Sequence, residues 1–186
     1  STHLNTFHPE EAGREAAGSA IRTVGGECVK TGKYPVVFGN QPLADIASNV
    51  LIPSLKLTSV NAYNTPFLRK LGLNISSRNL NIYDDGSLPG EVGSKRITCE
   101  GIPTGRTDLI ANGILVGFLA NSYFANKFKN NIYTPIPRSG FRSSSLGRDY
   151  KKRAGISPTN VVIEGNNETS REDLIHQVQN GVYIGR

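Results

Sequence analysis

ITCEGIPTGRTDLIANGILVGFLANSYFA, residues 97–125, decides the fold. Asn112-Gly113 stands between two apolar runs, Leu109-Ile110-Ala111 and Ile114-Leu115-Val116-Gly117-Phe118-Leu119. Asn-Gly supplies the two positive-φ residues of a type I′ turn, so the runs predict a β-hairpin. Each run is apolar at consecutive positions, which predicts strands covered on both faces. Upstream, Leu80-Asn81-Ile82-Tyr83 leads into Asp84-Asp85-Gly86, a strand closed by a turn that accounts for the paired carboxylates.

Towards the N-terminus, Pro9 suits the first turn of a helix and Glu10 and Glu11 complement its dipole. Ala16, Ala17, Ala20, Ile21 and Val24 recur at helical spacing, with Gly25 as the stop, and Gly13, Ala17 and Gly18 predict close packing on another element. Tyr34 to Phe38 predicts a short apolar strand. Asn40 is the expected cap of a second helix with Pro42 in its first turn. Leu43, Ile46, Ala47, Val50 and Leu51 make a core-facing stripe there, and Pro53 is expected to end or kink the helix.

Beyond the hairpin, Asn121 to Lys129 predicts a short helix. Pro135, Pro137, Gly140, Gly147 and Gly155 predict a long loop over 130–157. Val161-Val162-Ile163 predicts a strand. Ser170-Arg171-Glu172-Asp173 has capping-box form, opening a helix with Leu174, Ile175 and Val178 inward and Gly181 as its stop. The whole predicts an α+β fold, with helices packed on a mainly antiparallel sheet that has a central hairpin.

A chain of 186 residues can build one sizeable core, or one domain and part of another. No apolar run approaches the roughly 20 residues that cross a bilayer, so no membrane partner is expected. Cys28 and Cys99 lie far apart and make no disulfide framework, which points to a reducing cytoplasm. The net charge of +6 is unevenly spread. Lys127, Lys129, Arg138, Arg142, Arg148, Lys151, Lys152 and Arg153 face Asp149 alone within 127–153, so this segment outweighs the whole chain in positive charge. Phe128, Tyr133, Phe141 and Tyr150 are interleaved with its cations. That composition could bind single-stranded nucleic acid, or it could be a solvated, protein-facing loop.

Other motifs fail on spacing. Gly26 to Lys33, GECVKTGK, is one residue too long for a phosphate loop and is followed by Tyr34. His3 and His8 are five apart, but Leu4 lies where a zinc helix needs glutamate, and Pro9 puts His8 at a helix start. His176 reads as an ordinary surface histidine.

The order strand–DDG, EG-x-P-T, LI-x-NG-x-L, NSYFA resembles the TldD/PmbA family, peptidase-related proteins also called modulators of DNA gyrase. Residues 10–38, Thr65-Pro66-Phe67-Leu68-Arg69-Lys70-Leu71-Gly72, Ser157-Pro158-Thr159-Asn160 and Asn180-Gly181-Val182-Tyr183 are similar to further family landmarks. The resemblance implies a central piece of a longer protein: 1–60 a helix–strand–helix segment and 61–186 the start of a β-rich C-terminal region. The resemblance thus implies parent sequence on both sides, and the absence of methionine at position 1 agrees with this expectation on the N-terminal side. Zinc-bearing members carry His-Glu-x-x-x-His on a helix. Here the corresponding helix, PLADIASNVL from Pro42 to Leu51, has neither histidine nor glutamate. Leu43, Ile46, Val50 and Leu51 are expected to be buried in place of a metal pocket, and the chain resembles the PmbA (TldE) branch.

That branch implies no catalytic residue, no metal and no cofactor in this chain. It implies pairing with itself or with a TldD-like zinc-bearing subunit, around unfolded peptide substrates. Arg138, Gly140 and Arg142 fall where relatives have a glycine-containing loop and are the expected peptide contacts. The rival is a basic nucleic-acid-binding module acting near DNA gyrase. Charges scattered over 127–153 favour the first reading over the second.

Overall fold

The packed core begins at Ile52. Ile52, Leu55 and Leu57 bury against Ile82, Leu109, Leu115 and Leu119, all within a computed structural model that describes residues 8–130, 133–142, 150–167 and 169–185. The sheet behind this core has the order β4-β3-β2-β7, from β2 (Leu80–Asp85), β3 (Arg106–Ala111), β4 (Ile114–Leu115) and β7 (Val161–Gly165). All its neighbours are antiparallel. The helices α1 (Pro9–Thr23), α2 (Asn40–Ile46), α3 (Ile52–Ser54), α4 (Leu57–Asn61), α5 (Ser122–Lys127) and α6 (Arg171–Gln177) complete the expected α+β class. A parallel pair, β1 (Val36–Phe38) with β8 (Val182–Ile184), stands apart from the main sheet.

The hairpin turn is built as its sequence requires. Asn112 has φ 48° and Gly113 φ 77°. The Asn112 N–H donates to Asn81 Oδ1 at 2.8 Å, and the Gly113 N–H to the Leu80 carbonyl at 2.9 Å. The Gly113 carbonyl in turn accepts from the N–H groups of Ile75 and Ser76. A Cβ on Gly113 would stand 2.5 Å from the Ser77 carbonyl oxygen, so glycine is required twice, for φ and for space.

The strands are not covered on both faces. A register shift between Ile82 and Tyr83 lets Leu109 and Ile110 both turn inward, which accounts for the consecutive apolar pair in β3. The second strand alternates instead: Leu115 is buried while Ile114 and Val116 stay exposed on the open face. Residues 72–75 pair along its outer side, with the Gly72 N–H on the Leu115 carbonyl and the Leu115 N–H on the Leu73 carbonyl.

The N-terminal stripe also departs from expectation. The second helix runs from Asn40 through Pro53 because one wide π-helical turn, Ala47–Leu51, absorbs an extra residue. That turn rotates the inward face from Ala47 to Ile52 and Leu55. Leu43 and Ile46 are exposed, Val50 is 62% exposed and Leu51 is only partly buried, so the expected stripe does not fill a core in this chain. Its cap is Gly39, not Asn40. Helix α1 forms as predicted but buries nothing, with Ile21 at 71% and Val24 at 82% exposure. Strand β1 is likewise largely exposed. Helix α6 has its capping box, the Ser170 Oγ accepting from the Asp173 N–H, yet Leu174 and Ile175 are exposed and the helix stops at Gln177.

Two substitutions test this core. Gly113→Val should cost about 3 kcal/mol or more in urea denaturation, combining a forbidden φ with a backbone clash. A variant as stable as the parent would refute the turn. Leu55→Ala should cost about 2–5 kcal/mol, whereas Val50→Ala should stay within about 0.5 kcal/mol. Equal losses would mean that the π-helical turn is misplaced.

Candidate functional site

The tightest polar construction lies where β2 ends. Asp84 is 2% exposed, and its Oδ1 accepts from both the Thr159 N–H at 2.7 Å and the Thr159 Oγ1 at 3.0 Å. Beside it, Asp85 Oδ1 accepts from the Ser87 N–H and hydroxyl, as a turn-forming aspartate does. Asn160 then donates from Nδ2 to the Asp85 carbonyl and to Ser94 Oγ, while its Oδ1 accepts from the Gly93 N–H at 2.8 Å. The Ser157-Pro158-Thr159-Asn160 turn is therefore fastened to the strand end by side chains, 75 residues away in sequence. Burial pushes the Asp84 carboxyl up to about 6, against the two Thr159 hydrogen bonds that pull it down.

A second construction surrounds Glu100. Gly101, at φ 81°, turns the chain so that Thr98 N–H meets the Ile102 carbonyl at 2.8 Å. The Glu100 Oε2 then accepts from the Ser122 N–H at 2.9 Å, at the start of α5, where Asn121 Oδ1 caps the Phe124 N–H. The expected loop over 130–157 is interrupted here: β5 (Gly140–Phe141) pairs with β6 (Gly155–Ile156), and the Cys99 N–H donates to the Gly140 carbonyl at 2.9 Å. Residues 143–149, with Arg148, lie outside the described residues. A cleft of about 620 Å³ opens between these elements, lined by Cys99, Glu100, Asn121, Tyr123, Phe124, Arg142, Arg153 and Ala154.

The three expected peptide contacts are not brought together. Gly140 is buried under the Glu100 carboxylate, and any Cβ there would collide with Oε2. Arg138 sends Nη1 to the Arg106 carbonyl, beside Gly105. Only Arg142 lines the cleft, and its Nε donates to the Lys152 carbonyl at 2.7 Å. Of the interleaved aromatics, Phe128 and Tyr133 pack on the core, Phe141 is buried under the Lys95 ammonium, and Tyr150 alone is freely exposed. The roles of Glu100 and Asn121 lie beyond what the sequence alone assigns. Their signals were the Glu-Gly pair and an asparagine three residues before a helical N–H.

Helix α2 and the π-helical turn carry no imidazole. Asp45 Oδ1 accepts from Gln41 Nε2 at 3.2 Å, while Ser48 and Asn49 both donate to the Asp45 carbonyl. Among the described residues, no group of three or more His, Cys, Asp or Glu side chains is placed to hold a metal. His176 lies on α6, and His3 lies outside the described residues.

The family model of the PmbA/TldA metallopeptidase C-terminal domain matches residues 31–186. The chain belongs to the PmbA/TldD family. Its fold is similar to that of a putative modulator of DNA gyrase from Thermotoga maritima, with TM-score 0.80 and 30% identity over 97% of this chain and 38% of that one. TldE from Thermococcus kodakarensis is similar with TM-score 0.74 and 28% identity, over 90% of this chain and 36% of that one. An uncharacterised protein of Methanocaldococcus jannaschii is 29% identical over 164 residues, 88% of this chain and 36% of its own length. The chain thus spans little more than a third of each of these three proteins. The zinc that the word metallopeptidase implies does not fit the donor set found among the described residues. Among the described residues, no helix is long and apolar enough to cross a membrane.

The Asp84 clamp has a pH signature. Its folded pKa of about 6 lies above the ordinary 3.8, so its contribution to stability is full below about pH 4 and is lost as pH rises through 6. Asp84→Asn keeps an acceptor for Thr159 without the titration. The stability of the parent relative to this variant should fall by about 1–3 kcal/mol between pH 4 and 7.5 in urea melts. A flat difference would show that the carboxyl is not desolvated.

Proposed function

We propose that this chain is a metal-free, PmbA/TldE-like part of a metallopeptidase system that encloses unfolded peptides. It pairs with itself or with a TldD-like subunit that bears the zinc. The observation that carries the reading is the helix from Asn40 to Ser54: in a chain of a metallopeptidase-related family, it holds no histidine, no glutamate and no metal-binding cluster. Zinc hydrolysis needs imidazole or thiolate ligands and a carboxylate base near the bound water; this helix offers no imidazole or thiolate, and its one carboxylate, Asp45, accepts from Gln41. The likeness to TldE from Thermococcus kodakarensis supports the same assignment.

The exposed apolar residues support an assembly. Ile21, Val24, Val36, Phe38, Leu43, Ile46 and Val50 lie on elements that the chain's own core leaves uncovered. Exposed apolar residues of this kind mark an interaction site where they adjoin one another. The nucleic-acid reading is less favoured, because single-strand binding needs exposed aromatic faces beside free cations. Phe128, Tyr133 and Phe141 are turned into the protein instead.

Purification together with a TldD-like chain, followed by zinc analysis and a peptide-hydrolysis assay, tests the proposal. The expected result is zinc in the partner only, with hydrolysis by the pair and none by this chain alone. Stoichiometric zinc in this chain, or hydrolysis without a partner, would overturn it. Tight DNA binding that persists at physiological salt would promote the rival, since phosphate contacts alone weaken steeply with salt.

A further inference from the structure

A small apolar groove of about 250 Å³ lies between the helical stretch from Ala44 to Lys56 and the start of β7. Ala47, Ile52, Pro158, Val161 and Ile163 form its walls. Its size is below the roughly 300–1,000 Å³ of pockets for drug-sized ligands, so it suits a group the size of one side chain. Lys56 is the one charged residue that lines it. Among the described residues, the Lys56 ammonium forms no ion pair and no side-chain hydrogen bond. Its backbone is fixed all the same, bridging to Leu119 and accepting from the N–H groups of Ser59 and Val60.

A half-buried ammonium beside an apolar groove, without a counter-charge, is costly. Burial lowers the Lys56 pKa from its ordinary value, and no neighbouring charge opposes that. The wall opposite is rigid, because Thr159 and Asn160 fasten Pro158 to Asp84, Asp85 and Gly93. A preorganised apolar slot with one uncompensated cation calls for a ligand that brings an aliphatic group and an anion together.

We propose that this groove binds the C-terminal aliphatic residue of a peptide, with its carboxylate on Lys56 and its side chain among Ala47, Ile52, Val161 and Ile163. This deepens the peptide role proposed above and rests on it for the nature of the ligand. The site lies apart from the Glu100 cleft and shares no lining residue with it.

The test uses the full chain without a partner or zinc. N-acetyl-leucine, N-acetyl-leucinamide and isovalerate are titrated by NMR, with circular dichroism confirming the fold of each variant. N-acetyl-leucine should bind with a dissociation constant on the order of 1 mM, given its few heavy atoms. The amide should bind at least roughly tenfold more weakly, because it leaves the cation unpaired. Lys56→Met, which replaces the ammonium with an apolar chain of similar length, should lose binding by a similar factor. Ala47→Phe should fill the groove and abolish it.

Equal binding of acid and amide, unchanged binding by Lys56→Met, or no binding at all would overturn the proposal. The acid-against-amide comparison needs no variant, so a misfolded mutant cannot leave the question open. Isovalerate binding as tightly as N-acetyl-leucine would overturn the peptide assignment. Peptide hydrolysis by the paired subunits persisting after any such failure would leave the proposed function standing and remove this site alone.

Discussion

The buried Asp84 carboxylate is the constraint on which the other parts of the structure depend. It lies at the end of β2, the strand that pairs on both sides and so joins β3 to β7. A carboxylate excluded from water must have its lone pairs occupied, and Thr159 supplies a backbone and a hydroxyl donor together. That demand pulls the Ser157–Asn160 turn onto the strand end and sets where β7 begins. The register of Asp84 opposite Val161 follows from the same contact. Gly93 must then be glycine, since any Cβ would run into the Thr159 carbonyl.

The N-terminal helices show how an apolar pattern differs from a core. Spacing alone states which residues share a helix face. It does not state what covers that face, nor whether the helix keeps its phase. In the second helix the phase changes at the π-helical turn Ala47–Leu51, and the burial moves from the Leu43–Ile46 side to Ile52 and Leu55. Proline is tolerated at 53 because it sits in the first turn after this irregularity, where its missing N–H is not needed. Leu43, Ile46 and Val50 stay exposed as a result.

Local chemistry was legible in the sequence wherever the signal was stereochemical. Asn112-Gly113 could only be a tight hairpin turn, Ser170 with Asp173 could only be a capped helix start, and both are present as read. Legibility failed where a residue's role depends on a partner far along the chain. Asp84 reads as a turn residue because Thr159 is invisible at that distance, and Gly140 reads as a loop glycine because Glu100 is. The pairing of β5 with β6 is too short, at two residues each, to leave a period in the sequence. Consecutive apolar residues in β3 read as a two-sided strand, when a bulge had turned both to one side.

Strand β7 joins these threads, because side-chain amides secure it at both ends. At its start Asn160 holds the strand end of β2 and the Gly93 turn. Just beyond its end, Asn166 donates from Nδ2 to Asn112 Oδ1 at 3.0 Å and accepts on Oδ1 from Asn81 at 2.7 Å. The same Asn81 also receives the Asn112 N–H, so the hairpin turn and the edge strand share one hydrogen-bonded group. Edge strands with only partly buried side chains slip register easily, because apolar burial distinguishes poorly between neighbouring pairings. Val161, Val162 and Ile163 are of that kind, each only partly buried. Directional hydrogen bonds at the two ends supply the specificity that burial does not. They thereby fix the wall that Val161 and Ile163 present to Lys56.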